Sequence, residues 1–334
     1  MTRNASGAPA PRRVPGARVG NGLGTARIAV DLLGGDDAPA VVVDGALRAC
    51  GADPDLQLLL VGPEEVADGV ILALPAADRD RVAVRPAAGA VGMADPPVTG
   101  VRVDTTVRAA VAAVAAGHAD AVVSAGATGA TVTATVLELG RMPGIRRPPL
   151  AATVPALAGP VVLLDVGAAV EANAATLTSH AAVGAAYAQV VTGLTAPRVG
   201  LLSVGTEHGK GDRARRGADA VLAARPLPGT ARYVGLVEGY EPSLGSRADV
   251  VVTDGFTGNV LLKGIEGAYA LAGGSSAAPR AGALLGVNGT VVVCHGAGDA
   301  ADLAAGIRLA AHLHRARAAS RLAALVADLG EVFR

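Results

Sequence analysis

Seven apolar runs, each closing on a glycine-bearing tip and then a helical stretch, constrain this chain more than any other feature. They read "RIAVDLLGGDDAP", "LQLLLVGPEE", "DAVVSAGATGA", "PVVLLDVGAAVEAN", "RVGLLSVGTEHGKGD", "DVVVTDGFTGNVLL" and "TVVVCHGAGDAAD". Unbroken apolar runs, rather than alternating ones, belong to strands covered on both faces, as in parallel sheets. Strand–helix alternation around such strands predicts an α/β fold: a three-layer α/β/α Rossmann-like sheet. In a parallel sheet ligands bind outside the carboxyl ends of the strands. Asp31, Ser124, Asp165, Ser203, Asp254 and His295 stand at six tips, each with a glycine within three residues. The pattern predicts that these six share one edge and form a site there.

Composition fits that plan and excludes others. Of 334 residues 51% are hydrophobic but only 2% aromatic, so the core must be built from Ala, Val and Leu. The 29 basic residues balance 29 acidic ones with no basic stripe, which argues against a nucleic-acid partner. Cys50 and Cys294 make no disulfide framework, and no charged-then-apolar signal opens the chain, so a reducing, cytoplasmic setting is expected. Uncharged tracts at 121–137 and 148–164 fall short of the roughly 20 residues of a membrane span and read as buried core. Residues 1–26 carry four Arg, no acid and much Gly, Pro and Ala, and are expected to be a disordered N-terminal tail before an α/β domain over 27–334.

The tips differ in chemistry. In "SAGATG", Gly126 and Gly129 let backbone approach a ligand, and Thr128 is a candidate cap for a helix opening near Ala130; the bland alternative is an ordinary capped turn. "GTEHGKGDRARR" crowds Glu207, His208 and Lys210 among glycines, a density of ionisable groups that a structural loop does not need. Only Lys210 and Lys263 are lysines among the cations. In "DGFTGNVLLKGIEG", Asp254 ends a strand and Thr257 is the expected helix cap. Phe256 reads as core packing, and Lys263 as a solvated helix residue whose stem snorkels. Cys294 and His295, adjacent on a strand, point to opposite faces, which leaves Cys294 as core and His295 as a tip residue able to meet a ligand. No "HExxH", paired-Cys or "GxSxG" pattern supports a metal or a serine nucleophile. "GNGLG" precedes the first strand instead of following it, so a nicotinamide site is weakly supported.

In order, "IAVDLLGGDDAP", "SAGATGA", "LGRMPGIRRPPLAATVP", "LLDVGAAVEA", "PRVGLLSVGTEHGKGD", "ADVVVTDGFTGNVLLKGIEG" and "LLGVNGTVVVCHGAGD" resemble the bacterial phosphate acyltransferase family of phospholipid synthesis. The resemblance implies an isocitrate/isopropylmalate dehydrogenase-like fold and no cofactor. It implies transfer of a fatty acyl group from acyl carrier protein to inorganic phosphate, giving acyl phosphate. Such a reaction needs no protein nucleophile, because phosphate is largely dianionic near neutral pH and a thiolate leaves readily. The protein has to position two anionic partners and stabilise an oxyanion.

By the resemblance Lys210, Asp254 and His295 take catalytic roles: Lys210 neutralising charge, Asp254 orienting and His295 protonating the leaving sulfur. Substrate and phosphate binding falls to Asp31, Gly34, Gly35, Ser124, Gly126, Thr128, Gly129, Asp165, Gly167, Glu207, Thr257, Gly258 and Asn259. The chain departs from the family pattern in four places. Ala127 replaces an Asn, Asp212 stands where Asn is common, and "PPVTGVRVDTTVRAA" lacks the family's basic, hydroxyl-rich segment. "AYALAGGSSAAPRAGA", read as a flexible loop, replaces a long helical hairpin associated with dimerisation and membrane docking. Membrane association is therefore not expected, and a homodimer stays open. Two rival readings remain at this stage: a diverged paralogue using another acyl or CoA thioester, and a non-catalytic acyl-carrier-binding protein.

Overall fold

The computed structural model describes residues 12–13, 24–102, 104–273 and 280–327. Its described strands are β1 (Arg12–Arg13), β2 (Ala26–Asp31), β3 (Leu56–Gly62), β4 (Val82–Pro86), β5 (Ala121–Ser124), β6 (Leu150–Val154), β7 (Val161–Leu164), β8 (Arg198–Leu202), β9 (Arg232–Val237), β10 (Val250–Val252), β11 (Ala281–Leu284) and β12 (Thr290–Cys294). They form one sheet in the order β1-β4-β3-β2-β5-β12-β11-β6-β7-β10-β8-β9. Most of the expected tail lies outside the described residues; within it Arg12–Arg13 pair antiparallel with Val84 and Ala83.

Helices cover both faces, as unbroken apolar strands require. Alternate strand residues serve different layers: Ile28, Val30, Val292 and Cys294 pack in one core, Ala29, Val291 and Val293 in the other. The first core takes in α1 (Ala40–Ala52), α2 (Glu64–Ala73), α5 (Ala174–Tyr187), α6 (Arg213–Ala224), α9 (Ala300–Arg315) and α10 (Ala318–Val326). The second takes in α3 (Thr106–Ala115), α4 (Thr128–Glu138) and α8 (Gly255–Leu271), α7 being the single turn Glu241–Leu244. This is the three-layer α/β/α arrangement the sequence predicts. Small residues permit its close packing: a Cβ at Gly45 would lie 2.7 Å from Leu303 Cβ, where α1 meets α9.

Topology corrects one expectation. β4, β3, β2, β5 and β12 are mutually parallel, and so are β7, β10, β8 and β9. Between the two sets lie three successive antiparallel pairings, β12 with β11, β11 with β6 and β6 with β7. An odd number of reversals turns the second set upside down relative to the first. The carboxyl tips therefore split three and three between opposite edges: Asp31, Ser124 and His295 on one, Asp165, Ser203 and Asp254 on the other. Of "AYALAGGSSAAPRAGA", α8 takes the stretch through Leu271 and β11 begins at Ala281, while the expected flexible loop at 274–279 lies outside the described residues.

Candidate active site

The rim at β2, β5 and β12 is built on a buried carboxylate. Ser124 Oγ donates to Asp31 Oδ2 at 2.7 Å and accepts from Gly126 N at 3.0 Å, while Leu33 N donates to Asp31 Oδ1 at 3.3 Å. Burial pushes the Asp31 carboxyl above its ordinary range, against the hydrogen bonds from Thr106, Ser124 and Leu33. This buried pair ties the first glycine tip to the fifth strand and fixes the turn that follows. Gly34 has no room for a side chain, because a Cβ there would sit 2.7 Å from Gly126 N and 2.8 Å from Asp31 Oδ2. Gly35, at φ 116°, lies in the left-handed region, and Asp36 N donates to Gly296 O at 2.9 Å, bringing the third tip alongside.

The helix that leaves this turn is uncapped. α4 begins at Thr128, not Ala130, and its cap position is Ala127, which offers no side-chain acceptor. The expected Thr128 cap is absent because Thr128 is itself the first helical residue. The first intrahelical bond runs from Thr131 N to Ala127 O, 3.0 Å. The amides of Thr128, Gly129 and Ala130 thus have no partner within the helix and carry its positive dipole end.

The end of β12, the strand paired with β5, carries a three-membered polar cluster. His295 Nε2 meets Glu266 Oε1 at 2.8 Å, and His295 Nδ1 meets Lys263 Nζ at 3.1 Å. Lys263 Nζ also donates to Glu266 Oε2 at 2.9 Å. An ammonium has only donors, so Nδ1 accepts from Lys263 and Nε2 carries the proton toward Glu266. Burial pulls the Glu266 carboxyl upward, but hydrogen bonds from His295 and Lys263 and their charges outweigh it and hold the group below its usual range. Cys294, by contrast, is core as expected: burial pushes its thiol up to about 12.

On the opposite rim the two carboxylates are spent on the fold. Asp165 is fully buried and accepts four amides: Leu150, Gly167 and Ala168 on Oδ1 at 3.0, 3.0 and 2.8 Å, and Ala169 on Oδ2 at 2.7 Å. Gly167 sits at φ 138°, and Asn259 Nδ2 donates to Val166 O at 3.1 Å. A Cβ at Gly258 would collide with Asp165 O.

Asp254 caps α8, accepting Thr257 N and Thr257 Oγ1, each at 2.8 Å; the cap is Asp254 and not Thr257 as the sequence indicated. Arg215 Nη2 reaches Asp254 Oδ2 and Arg215 Nη1 reaches Asp212 Oδ2, both at 2.6 Å. Burial raises the Asp254 carboxyl, but the bonds from Thr257 and Arg215 more than reverse this and leave it below its ordinary value. Asp212 caps α6, so its charge is engaged with Arg215 and the Arg215 amide.

Lys210 and Glu207 are exposed in the loop after β8, and His208 lies 3.6 Å from Asp219. From β5 to β8 there are six strand steps, about 29 Å at ~4.8 Å each. The structure therefore brings Asp31, Gly34, Gly35, Ser124, Gly126, Thr128, Gly129 and His295 together. It sets Lys210, Glu207, Asp165, Gly167, Asp254, Thr257, Gly258 and Asn259 apart from them. Lys263 is half-exposed on α8, as the sequence reading has it, and its Nζ also reaches the first group through His295; an i,i+3 Lys–Glu pair on α8 was the available signal, but their His295 partner is not local. Phe256, expected in the core, is 64% exposed.

An α/β sheet whose glycine tip presents unpaired helix amides at a strand carboxyl end has the donors that suit a small anion. The particular family follows from its relatives: residues 26–274 match the model of the fatty acid synthesis protein family, and the chain belongs to that family. It is 40% identical to the phosphate acyltransferase of Rhodobacter capsulatus over 90% of this chain and 83% of that one. It is 38% identical to the phosphate acyltransferase of Heliobacterium modesticaldum over 85% and 92%.

Among solved structures, a phosphotransacetylase from Streptococcus pyogenes superposes with TM-score 0.63 at 19% identity, covering 89% of this chain and 94% of its own. A 4-hydroxythreonine-4-phosphate dehydrogenase from Klebsiella pneumoniae gives 0.53 at 15%, covering 87% and 98%. Both share the Rossmann-like fold.

Proposed function

We propose that the protein transfers a fatty acyl group from acyl carrier protein to inorganic phosphate at the β2/β5/β12 rim, releasing acyl phosphate and the free carrier thiol. The acyl phosphate would feed phospholipid synthesis. Family membership and its phosphate acyltransferase relatives support the reaction class. The observation that carries the location is the unpaired first turn of α4 after β5, whose neighbour β12 ends at the His295–Lys263 pair. A phosphate oxygen attacks the thioester carbonyl carbon, the C–O bond forms, and the carbonyl oxygen takes the negative charge. Collapse of that tetrahedral adduct breaks the C–S bond and expels thiolate, which acquires its proton from solvent.

α4 amides neutralise phosphate, and Lys263, with one N–H left after Glu266 and His295, faces the developing charge. His295, with both ring nitrogens engaged, holds Lys263 in place. A cytoplasmic setting is supported by two free, buried cysteines. Among the described residues no helix is long and apolar enough to cross a membrane.

The test is to incubate the protein with acyl carrier thioesters of several chain lengths, with and without phosphate. Thiol release and hydroxylamine-trapped acyl phosphate should appear together and only with phosphate. Carrier binding without thiol release would leave a non-catalytic binding protein; release with CoA thioesters alone would identify the diverged paralogue that Ala127 hints at.

A further inference from the structure

The loop at 140–148 follows α4 and places three arginines over a cleft of about 1050 Å³, walled by Val136 of α4 and by Thr176 and Ser179 of α5. A second chamber of about 600 Å³ shares Val136, Arg146 and Arg147 with the first and continues along α4 past Thr133 to Val132, facing residues 168–171. Arg141 donates to Arg146 O at 2.7 Å, and Arg147 donates to Glu171 O at 3.2 Å. Among the described residues none of Arg141, Arg146 and Arg147 forms an ion pair with a carboxylate. Arg215, by contrast, is spent on two acids. Three forked cations left over at the mouth of a deep cleft call for an anion that arrives with the substrate, and guanidinium geometry suits a phosphate.

Length says what that substrate looks like. From Thr128 to Glu138, α4 has 11 residues, about 16 Å at ~1.5 Å each. A phosphopantetheine arm counts about 13 bonds from phosphorus to sulfur, and an extended chain gains ~1.2 Å per bond, or about 16 Å. An arm whose phosphate lies on the arginines would set its sulfur at the open first turn of α4. Its amide-and-methylene middle would run over Val136, Thr133 and Val132.

Building on the acyl-transfer reading above, we propose that the cleft along α4 is the phosphopantetheine channel, with Arg146 and Arg147 gripping the phosphodiester and Arg141 assisting. The shared chemistry is a phosphorylated pantetheine thioester, whether tethered to a carrier protein or continued into CoA.

The experiment compares acyl-pantetheine, acyl-4′-phosphopantetheine, acyl-CoA and acyl carrier protein as donors to the wild type and to Arg146→Gln/Arg147→Gln. Calorimetric binding of 4′-phosphopantetheine and of pantetheine is measured alongside. Each lost charge-assisted bond is worth roughly 10- to 100-fold in affinity. The variant should therefore raise KM for all three phosphorylated donors by about that factor or more. Its kcat, its KM for inorganic phosphate and its KM for acyl-pantetheine should stay unchanged, and it should bind 4′-phosphopantetheine no better than pantetheine. Equal losses with acyl-pantetheine overturn the channel. So does a loss confined to acyl carrier protein, which would make the arginines a docking patch for the carrier's own surface. If no donor is turned over, the acyl-transfer reading fails by itself, and the binding arm still decides the channel: tight phosphopantetheine binding lost in the variant supports it, and equal weak binding of both ligands overturns it.

Discussion

The two rims of this sheet carry similar inventories of glycines, carboxylates and a lysine, yet they do opposite things with them. At the Asp165/Asp254 rim both carboxylates have partners inside the fold, four amides on Asp165 and a cap plus Arg215 on Asp254, while the buried Ser203 Oγ has none. At the Ser124/His295 rim the buried Asp31–Ser124 pair supports a turn whose helix amides are left open. A binding edge keeps hydrogen-bonding capacity for its ligand, whereas a structural joint uses it up.

The sharpest way to break this contrast is to damage the structural rim and look for a stability effect. Asp165→Ala strands four backbone donors, each worth about 1–3 kcal/mol when left buried and unpaired, so urea unfolding should show a loss of about 4 kcal/mol or more. A variant that unfolds normally but loses acyl transfer would move the chemistry to that rim.

Next in size, Lys263→Met should lower kcat by about 10²–10³, as removal of one oxyanion-stabilising donor does, with little change in the thermal midpoint. Lys210→Ala is the matched control on the other rim and should keep its rate; a loss as large as that of Lys263→Met would reverse the assignment.

Asp254→Asn should cost about 2 kcal/mol at neutral pH through its bonds to Arg215 and the α8 amide. Because the folded carboxyl lies below its ordinary 3.8, that contribution is complete above about pH 4 and is lost as pH falls through the depressed value. Denaturation curves of wild type and variant should converge in acid and separate toward neutrality.

The smallest effect is expected from Ala127→Asn. Supplying the missing cap of α4 should raise stability by about 1 kcal/mol, read as a higher urea midpoint at an unchanged slope.

Much of this was legible in the chain. Unbroken Val/Leu/Ile runs announced covered strands, and glycine after each run announced tight carboxyl-end turns; the α/β/α layering follows from those two facts. Ser124, Gly126 and His295 were recognisable because their chemistry sits where local sequence puts it, at a strand end. Lys263 was not, since its partner His295 is 32 residues away and reaches it only because α8 crosses back over the sheet. The caps of α4 and α8 were each misjudged by one to three residues, because Asp254 and Thr257 are both good cap residues and only backbone angles choose between them.

Sequence alone settled which segments are strands, which faces are buried and which residue types crowd the tips, since these depend on hydrophobic period and turn chemistry within a dozen residues. Tertiary structure alone decided which tips are neighbours. That choice rests on β6 and β11, two short strands whose antiparallel pairing reverses half of the sheet, and pairing direction is a property of partners distant in the chain, not of the strand's own letters.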